Sequence, residues 1–243
     1  MTVNKIEFVH ASAVTEIVLN NPQKANALSR GMIGKIADAV GSINRSDDCM
    51  CVLIHGTGAN FCAGIDLSEP PTPSLERQYL DGIGDREAIS RLRQPVIAVI
   101  EGKASGAGAE LALMADIVIM SETASMQFPE ISFGSLPGAG GCVRLTDAIG
   151  EKPAAYYLLT GEAISATEAL ALGLVSKVAP HGEALNVGRA LAEKISKAPQ
   201  HATWMLKDAI RANSRINEGN RLNHERLLST AALSISLSRH LKD

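Results

Sequence analysis

The chain has 243 residues, 46% of them hydrophobic and 3% aromatic, and its 23 Lys+Arg against 26 Asp+Glu leave a net charge of −3. That length buries a real core in one large domain or two small ones, and the balance is neither that of a disordered chain nor of a supercharged one. The acidic balance argues against a nucleic-acid footprint and the scarcity of aromatics against base-stacking surfaces, and no apolar run approaches the ~20 residues of a membrane span.

The N-terminus, MTVNKIEFVH, has no basic head followed by a long apolar run, so no secretory signal is expected. The cysteines at 49, 51, 62 and 142 contain no C-x-x-C pair, which fits neither a disulfide framework nor a zinc site. A reduced, cytoplasmic, globular protein is expected, with no metal. Ile6, Phe8 and Val9, then Val14, Ile17, Val18 and Leu19, alternate as a β-hairpin that Asn20-Asn21-Pro22 ends. Met32, Ile33, Ile36, Ala37 and Val40 recur at helical spacing behind Ser29 as N-cap. A buried strand follows at Cys51–Ile54, then a proline-rich loop over 68–75 and a helix from about Leu75 to Arg93. Strands are predicted at 96–101 and 117–120, with a small-residue turn and a helix through Met114 between them. A Gly/Pro-rich stretch over 126–141 leads into a helix to about Ile149. From Lys152 helices dominate, at 152–160, 165–172, 183–196, 201–212 and 217–239, with strand character confined to Leu174–Val178. No internal repeat recurs at a fixed period.

Two strand-to-helix turns carry chemistry-compatible residues: Asn60–Leu67 after the strand at 51–54, and Gly102–Glu110 after the strand at 96–101. Small residues let a ligand approach the backbone, and a helix N-terminus offers unpaired N–H groups. Two such turns facing each other supply two donors to one oxygen, an oxyanion hole. Taken singly, each is equally a tight turn without chemistry. Other readings fail on spacing. Gly106 and Gly108 start a G-x-G but position 111 is Leu, no G-K-[ST] exists, and neither Ser105 nor Ser135 sits in G-x-S-x-G. Glu110 in the first turn of its helix could simply favour the helix dipole, and Glu130, after Phe128-Pro129, could be a solvated loop carboxylate. The histidines form no H-E-x-x-H, and Trp204 beside Met205 and Leu206 reads as packing.

The combination resembles the crotonase superfamily, the enoyl-CoA hydratase/isomerase family. It is carried by Ile17–Pro22 with Asn26-Ala27-Leu28, by FCAGIDL (61–67), GKASGAGAELALMADI (102–117), FPEISFGSLPGAGG (128–141) and TGEAISATEALALGLVSKV (160–178), in the family's order and over nearly the whole chain. The resemblance implies an α/β fold, the crotonase (ClpP-like) spiral of ββα units over 1–182, with a C-terminal helical trimerisation region over 183–243. It implies a 2-enoyl-CoA hydratase in which the backbone N–H groups of Ala63 and Ala107 form the oxyanion hole, Glu110 activates water and Glu130 exchanges the C2 proton. The residues alone do not order those two roles, and repulsion between the two carboxylates is expected to raise one pKa. Lys24 and Ala25, with Gly64, Ile65 and Asp66, are implied to contact CoA, and Asp66 is equally readable as a turn cap. No cofactor is expected beyond the CoA of the substrate. Pro137–Gly141 reads as a helix start that needs small residues.

The family alternative is a Δ3,Δ2-enoyl-CoA isomerase or a polyketide-type dehydratase or decarboxylase. The alternative of another class is a non-catalytic crotonase-like binding protein. Apolar residues at 222, 227, 228, 231, 233, 235 and 237 lead to the expectation of a homotrimer, or a hexamer made of two. The family's basic, aromatic terminal segment, which reaches the neighbouring subunit's CoA, is expected to be absent or replaced here.

Overall fold

The computed structural model describes residues 5–69 and 87–212. Strands β1 (Ile6–Ala11) and β2 (Val14–Leu19) form the expected antiparallel hairpin, in register from Ile6↔Leu19 to Ala11↔Val14. Helix α1 (Arg30–Arg45) starts where Ser29 Oγ accepts the Met32 N–H at 3.2 Å, and it buries Met32, Ile36, Val40 and Ile43. The spacing of those four residues puts one apolar stripe against the sheet. Strands β3 (Cys51–Gly56) and β4 (Val96–Ile100) follow, then β5 (Lys103–Ser105), helix α2 (Ala107–Leu113), β6 (Ile117–Ser121) and β7 (Ser125–Gln127). Helices α3 (Gly141–Ile149) and α4 (Glu151–Thr160), β8 (Ala163–Ser165), α5 (Ala166–Ala171), β9 (Lys177–Ala179), α6 (Ala184–Ser196) and α7 (Gln200–Ala212) complete the order.

The large sheet runs β1-β2-β3-β4-β6-β9, parallel from β2 onward, and a small sheet runs β5-β7-β8. Its central strands are covered on both faces, which is why they read as unbroken apolar runs. Val52, Ile54, Ala98 and Ile100 face the main core with α1 and α2, while Cys51, Leu53, Ile97, Val99 and Ile119 face α6. A strand of the large sheet, a short strand of the small sheet and a helix recur as a unit, clearest in β4-β5-α2. Two isolated parallel bridges, Leu28↔Ile65 and Cys62↔Ala104, carry the small sheet's pairing on to the β3 loop and the α1 entry. This is the crotonase spiral.

Some expectations shift. The small-sheet strands have three residues each, too few for alternation to register. The strand expected at Leu174–Val178 lies at Lys177–Ala179, because Leu174 and Val175 are held in a turn, both N–H groups donating to Ala169 O. Of the helix expected over 75–93, only the end is among the described residues, as a 3-10 turn at Ala88–Arg91. The helix expected at 217–239, with the apolar residues behind the trimer expectation, lies outside them. No helix among the described residues is long and apolar enough to cross a membrane. Helix α6 lies on the large sheet itself, and its Arg189 donates to both carboxylate oxygens of buried Glu16 on β2, at 2.7 and 2.9 Å.

The packing of α6 generates a test. A methyl placed on Gly188 would lie 2.5 Å from Val99 Cγ2 and 3.2 Å from Leu53 Cδ1. Gly188→Ala should therefore destabilise by about 1–3 kcal/mol, overpacking outweighing the ~1 kcal/mol that alanine gains in a helix. Urea unfolding checks this; a stabilised variant would mean that α6 rides loosely on the sheet.

Candidate active site

The loops after β3 and β4 leave the same edge of a parallel sheet, as strand ends do where ligands bind. They run side by side: Cys62 N–H donates to Lys103 O at 3.1 Å and Ser105 N–H to Cys62 O at 2.9 Å. Glycine is required three times at this seam, at Gly102, where a Cβ would strike the Ala59 carbonyl, and at two further positions. A methyl on Gly64 (φ +104) would sit 3.0 Å from Ser105 O, and one on Gly108 would collide with the Cys62 carbonyl. Cys62 is buried there, and burial pushes its thiol up to about 12, so it is packing and not a nucleophile.

On its other side the first loop pairs with residues 25–28. Ala63 N–H donates to Ala25 O (2.9 Å), Leu28 N–H to Gly64 O (2.7 Å) and Asp66 N–H to Leu28 O (3.0 Å). This corrects the expected oxyanion hole. The Ala63 N–H is already committed to Ala25. After the Gly64 kink (φ +104), Gly64 O and Asp66 N–H both bond to Leu28, and the Ile65 N–H between them takes no part in that pairing. Among the described residues neither the Ile65 nor the Ala107 N–H has a hydrogen-bond partner. Ile65 and Ala107 also line one apolar cavity of about 20 Å³, with Leu28, Ile33, Leu111 and Ala139 among its walls. Among the described residues, Ile65 and Ala107 thus bring one unpartnered N–H from each loop to the same cavity.

Glu110 stands in the first turn of α2, 3% exposed. Its Oε1 accepts the N–H of Ala139 at 2.7 Å and of Gly141 at 2.9 Å. The Pro137–Gly141 segment thus does more than start α3: it supplies the two N–H groups that orient a buried carboxylate. Gly141 has no room for a side chain, since a methyl would meet Pro137 Cβ at 2.7 Å and Glu110 Oε1 at 3.0 Å. The Arg144 guanidinium donates to the Ala139 carbonyl and steadies the same turn.

Glu130 lies in the 3-10 turn Pro129–Phe133. Its Oε1 rests against Gly106 (φ +51), where a methyl would approach to 2.9 Å, so this carboxyl adjoins the residue that precedes the Ala107 donor. Its Oε2 is buried and, among the described residues, has no hydrogen-bond partner. Burial pushes the carboxyl above the ordinary range; its own backbone N–H works against that, and the charge of Glu110 adds to it. The raised acid expected from the pair is therefore Glu130, with burial ahead of repulsion as the cause. Cys142, which stood alone in the sequence, lies near enough to feel both carboxylates, which together with burial raise its thiol.

The five residues expected to contact CoA form one strip. Lys24 Nζ donates to Asp66 Oδ2 at 2.8 Å and to Ser68 Oγ at 2.6 Å, and that bond holds the Asp66 carboxyl down at about 2. Asp66 Oδ1 accepts the Ser68 N–H at 3.1 Å, so it does cap its own turn. Ala25 (φ 47) backs the strip next to Gly64 and Ile65. Among the described residues no three His, Cys, Asp or Glu side chains are grouped to hold a metal ion. Trp204 packs under the Arg93 guanidinium, 4.3 Å from its ring centre. The Ile65 donor, the Ala139 and Gly141 grip and Cys142 went unread in the sequence. Backbone donors have no side-chain signature, and the only available signal was a glycine-rich run opening a helix.

Residues 10–236 match the profile of the family described as Enoyl-CoA hydratase/isomerase. The chain is 38% identical over 217 residues to a probable mitochondrial enoyl-CoA hydratase of Dictyostelium discoideum, covering 88% of this chain and 78% of that one. It is 38% identical over 216 residues to a probable enoyl-CoA hydratase of Mycobacterium leprae, covering 87% and 83%. A crystal structure of an enoyl-CoA hydratase from Bacillus anthracis superposes with a TM-score of 0.90 at 32% identity, covering 95% of this chain and 92% of that one.

The two carboxylates can be tested without any substrate. Glu130 should titrate above the model-peptide value of ~4.3, followed by isotope-edited infrared spectroscopy of the carboxyl band. Glu110→Gln should bring that value part of the way down, because it removes the charge but not the burial. A Glu130 titrating at or below the ordinary value would mean that water reaches its Oε2.

Proposed function

We propose that this chain, which belongs to the enoyl-CoA hydratase/isomerase family, adds water reversibly across the 2,3-double bond of an enoyl-CoA thioester. The observation that carries the reading is the pair of unlike carboxyl environments beside two uncommitted N–H donors. Negative charge gathers on the thioester oxygen as the enolate forms, and the Ile65 and Ala107 N–H groups are placed to receive it; a single such donor is worth about 10²–10³ in rate elsewhere. Glu110, its Oε1 pinned by two N–H groups, is the base that takes a proton from the attacking water as oxygen bonds to C3. Glu130, whose pKa is raised, keeps a proton to deliver to C2. One proton enters Glu110 and one leaves Glu130, and exchange with solvent resets both. The CoA portion is assigned to the strip of Lys24, Ala25, Gly64, Ile65 and Asp66. No cofactor is needed in this scheme beyond the substrate's own CoA.

Glu110→Gln and Glu130→Gln should each lower kcat for crotonyl-CoA by roughly 10²–10⁴ with little change in thioester binding, and the double variant should be little worse than the more damaged single one. Loss of the conjugated enoyl absorbance and acyl-CoA calorimetry supply the two readouts. An isomerase would need one glutamate only and prefer 3-enoyl thioesters; a binding module would turn nothing over. Full hydration by folded Glu130→Gln overturns the two-carboxylate scheme.

We further propose a homotrimer. Among the described residues, Phe133 (73% exposed), Leu159 (71%), Leu136 and Val143 leave apolar surface of the kind a neighbouring subunit covers. Sedimentation should give three times the 25.6 kDa chain mass, or six; a stable monomer at micromolar protein excludes it.

A further inference from the structure

We propose that Asn26 and Asn60 form a clamp that sets the spacing of the two N–H donor loops, so that both are positioning residues for the hydration read above, on which this inference rests. Asn26 is fully buried in the left-handed region (φ 57). Its Oδ1 accepts the Asn21 N–H at 2.8 Å, and its Nδ2 donates to Thr57 O at 2.9 Å and to Asn60 O at 2.7 Å. Both amide hydrogens are thus spent on the loop that leaves β3. Asn60 continues the chain of contacts. Its backbone carbonyl is held by Asn26, and its side-chain Oδ1 accepts the Lys103 N–H at 3.1 Å on the second loop.

The clamp therefore runs from the turn at 21–26 through residue 60 to residue 103. Lys103 O in turn accepts from Cys62 N–H, three residues before Ile65 and on the far side of the Asn60 link. The turn at 21–26 also sets where the Ala25 carbonyl lies, and that carbonyl takes the Ala63 N–H. Side-chain chemistry fixes the residue types. Only an amide offers two donors and an acceptor on one short stem; Asp at 26 would bring a carboxylate against two carbonyl oxygens. At 60 only the acceptor is used across the seam, so Asp should serve there and Ala should not. No room exists for slack, because a methyl on Gly102 would lie 3.0 Å from Asn60 Oδ1. Lys103 is exposed and Asn60 half-buried, so water can replace the deleted bond and Asn60→Ala should fold.

The test uses the full chain and two readouts. Asn60→Ala should lower kcat for crotonyl-CoA roughly tenfold to a hundredfold, the range for small misplacement of reacting groups, with KM changed less than about twofold. Asn60→Asp should keep wild-type kcat. The second readout needs no turnover: butyryl-CoA carrying ¹³C at the thioester carbonyl, whose stretching band shifts down when two N–H groups polarise it. Asn60→Ala should show a smaller shift than wild type and Asn60→Asp the full one. If Asn60→Ala does not fold, Asn60→Ser, whose hydroxyl is too short to reach Lys103, takes its place. An unchanged kcat and carbonyl shift in Asn60→Ala, or equal losses in the Ala and Asp variants, overturns the clamp. Wild-type protein that binds butyryl-CoA without a shift overturns it together with the hole. Wild-type protein that shifts the band but does not hydrate crotonyl-CoA overturns the hydratase reading alone, and the band shifts of the variants still decide the clamp.

Discussion

The site depends on how closely two backbone loops can approach at the edge of the large sheet. Residues 60–65 and 102–108 touch main chain to main chain, through the paired hydrogen bonds of Cys62 with Lys103 and Ser105. Gly64, Gly102 and Gly108 each stand where a Cβ would strike the opposing loop. Side chains at any of the three would push the loops apart, and the N–H groups of Ile65 and Ala107 would no longer face one space. The local constraint of glycine is thus the origin of the close approach of the two loops, and α2, the Lys24–Asp66 strip and the carboxylates are arranged around it.

The carboxylates differ because the backbone treats them differently. Glu110 is nearly as buried as any core side chain, yet it meets two N–H groups of the turn that opens α3. A charged oxygen in that position replaces water's hydrogen bonds with fixed ones. Glu130 meets no such donors at Oε2 and lies against a glycine, and burial pushes its carboxyl above the ordinary range. Two acids of the same type meet different surroundings because of where the chain places N–H groups. That asymmetry, more than the presence of two glutamates, is what addition of water asks for.

Much of this was legible in the sequence. The hairpin, the Ser29 cap and the central strands follow from periodicity, while the two glutamates were singled out together only by the family resemblance. The small sheet did not follow, because three-residue strands carry no pattern, and the units start at irregular intervals: β2, β3, β4 and β6 of the large sheet begin at residues 14, 51, 96 and 117. That irregularity also hid the repeat from any search at a fixed period. The first donor was expected at Ala63, whose N–H is taken by Ala25 O, while the Ile65 N–H two residues on has no partner among the described residues. Side-chain identity says nothing about which of several consecutive N–H groups is free. That choice is made by the αL turn at Ala25 and Asn26 and by the kink at Gly64, and both become visible only once the chain is folded.

The turn at 24–26 then connects strain to function. Two successive non-glycine residues in the left-handed region, Ala25 and Asn26, each forgo about 1–2 kcal/mol relative to an ordinary backbone, more for alanine than for asparagine. Such a conformation persists only where its surroundings over-determine it. Here the surroundings are known: the Asn26 amide satisfies three backbone groups, and the Ala25 carbonyl takes one more. The strain is therefore coupled to the position of residues 57–63, and through Gly64 to the direction of the Ile65 N–H. A substitution that relaxed the turn would release backbone strain and misdirect a donor several residues away in space and some forty in sequence, which is why stability and the geometry of the site need not move together at this corner of the fold.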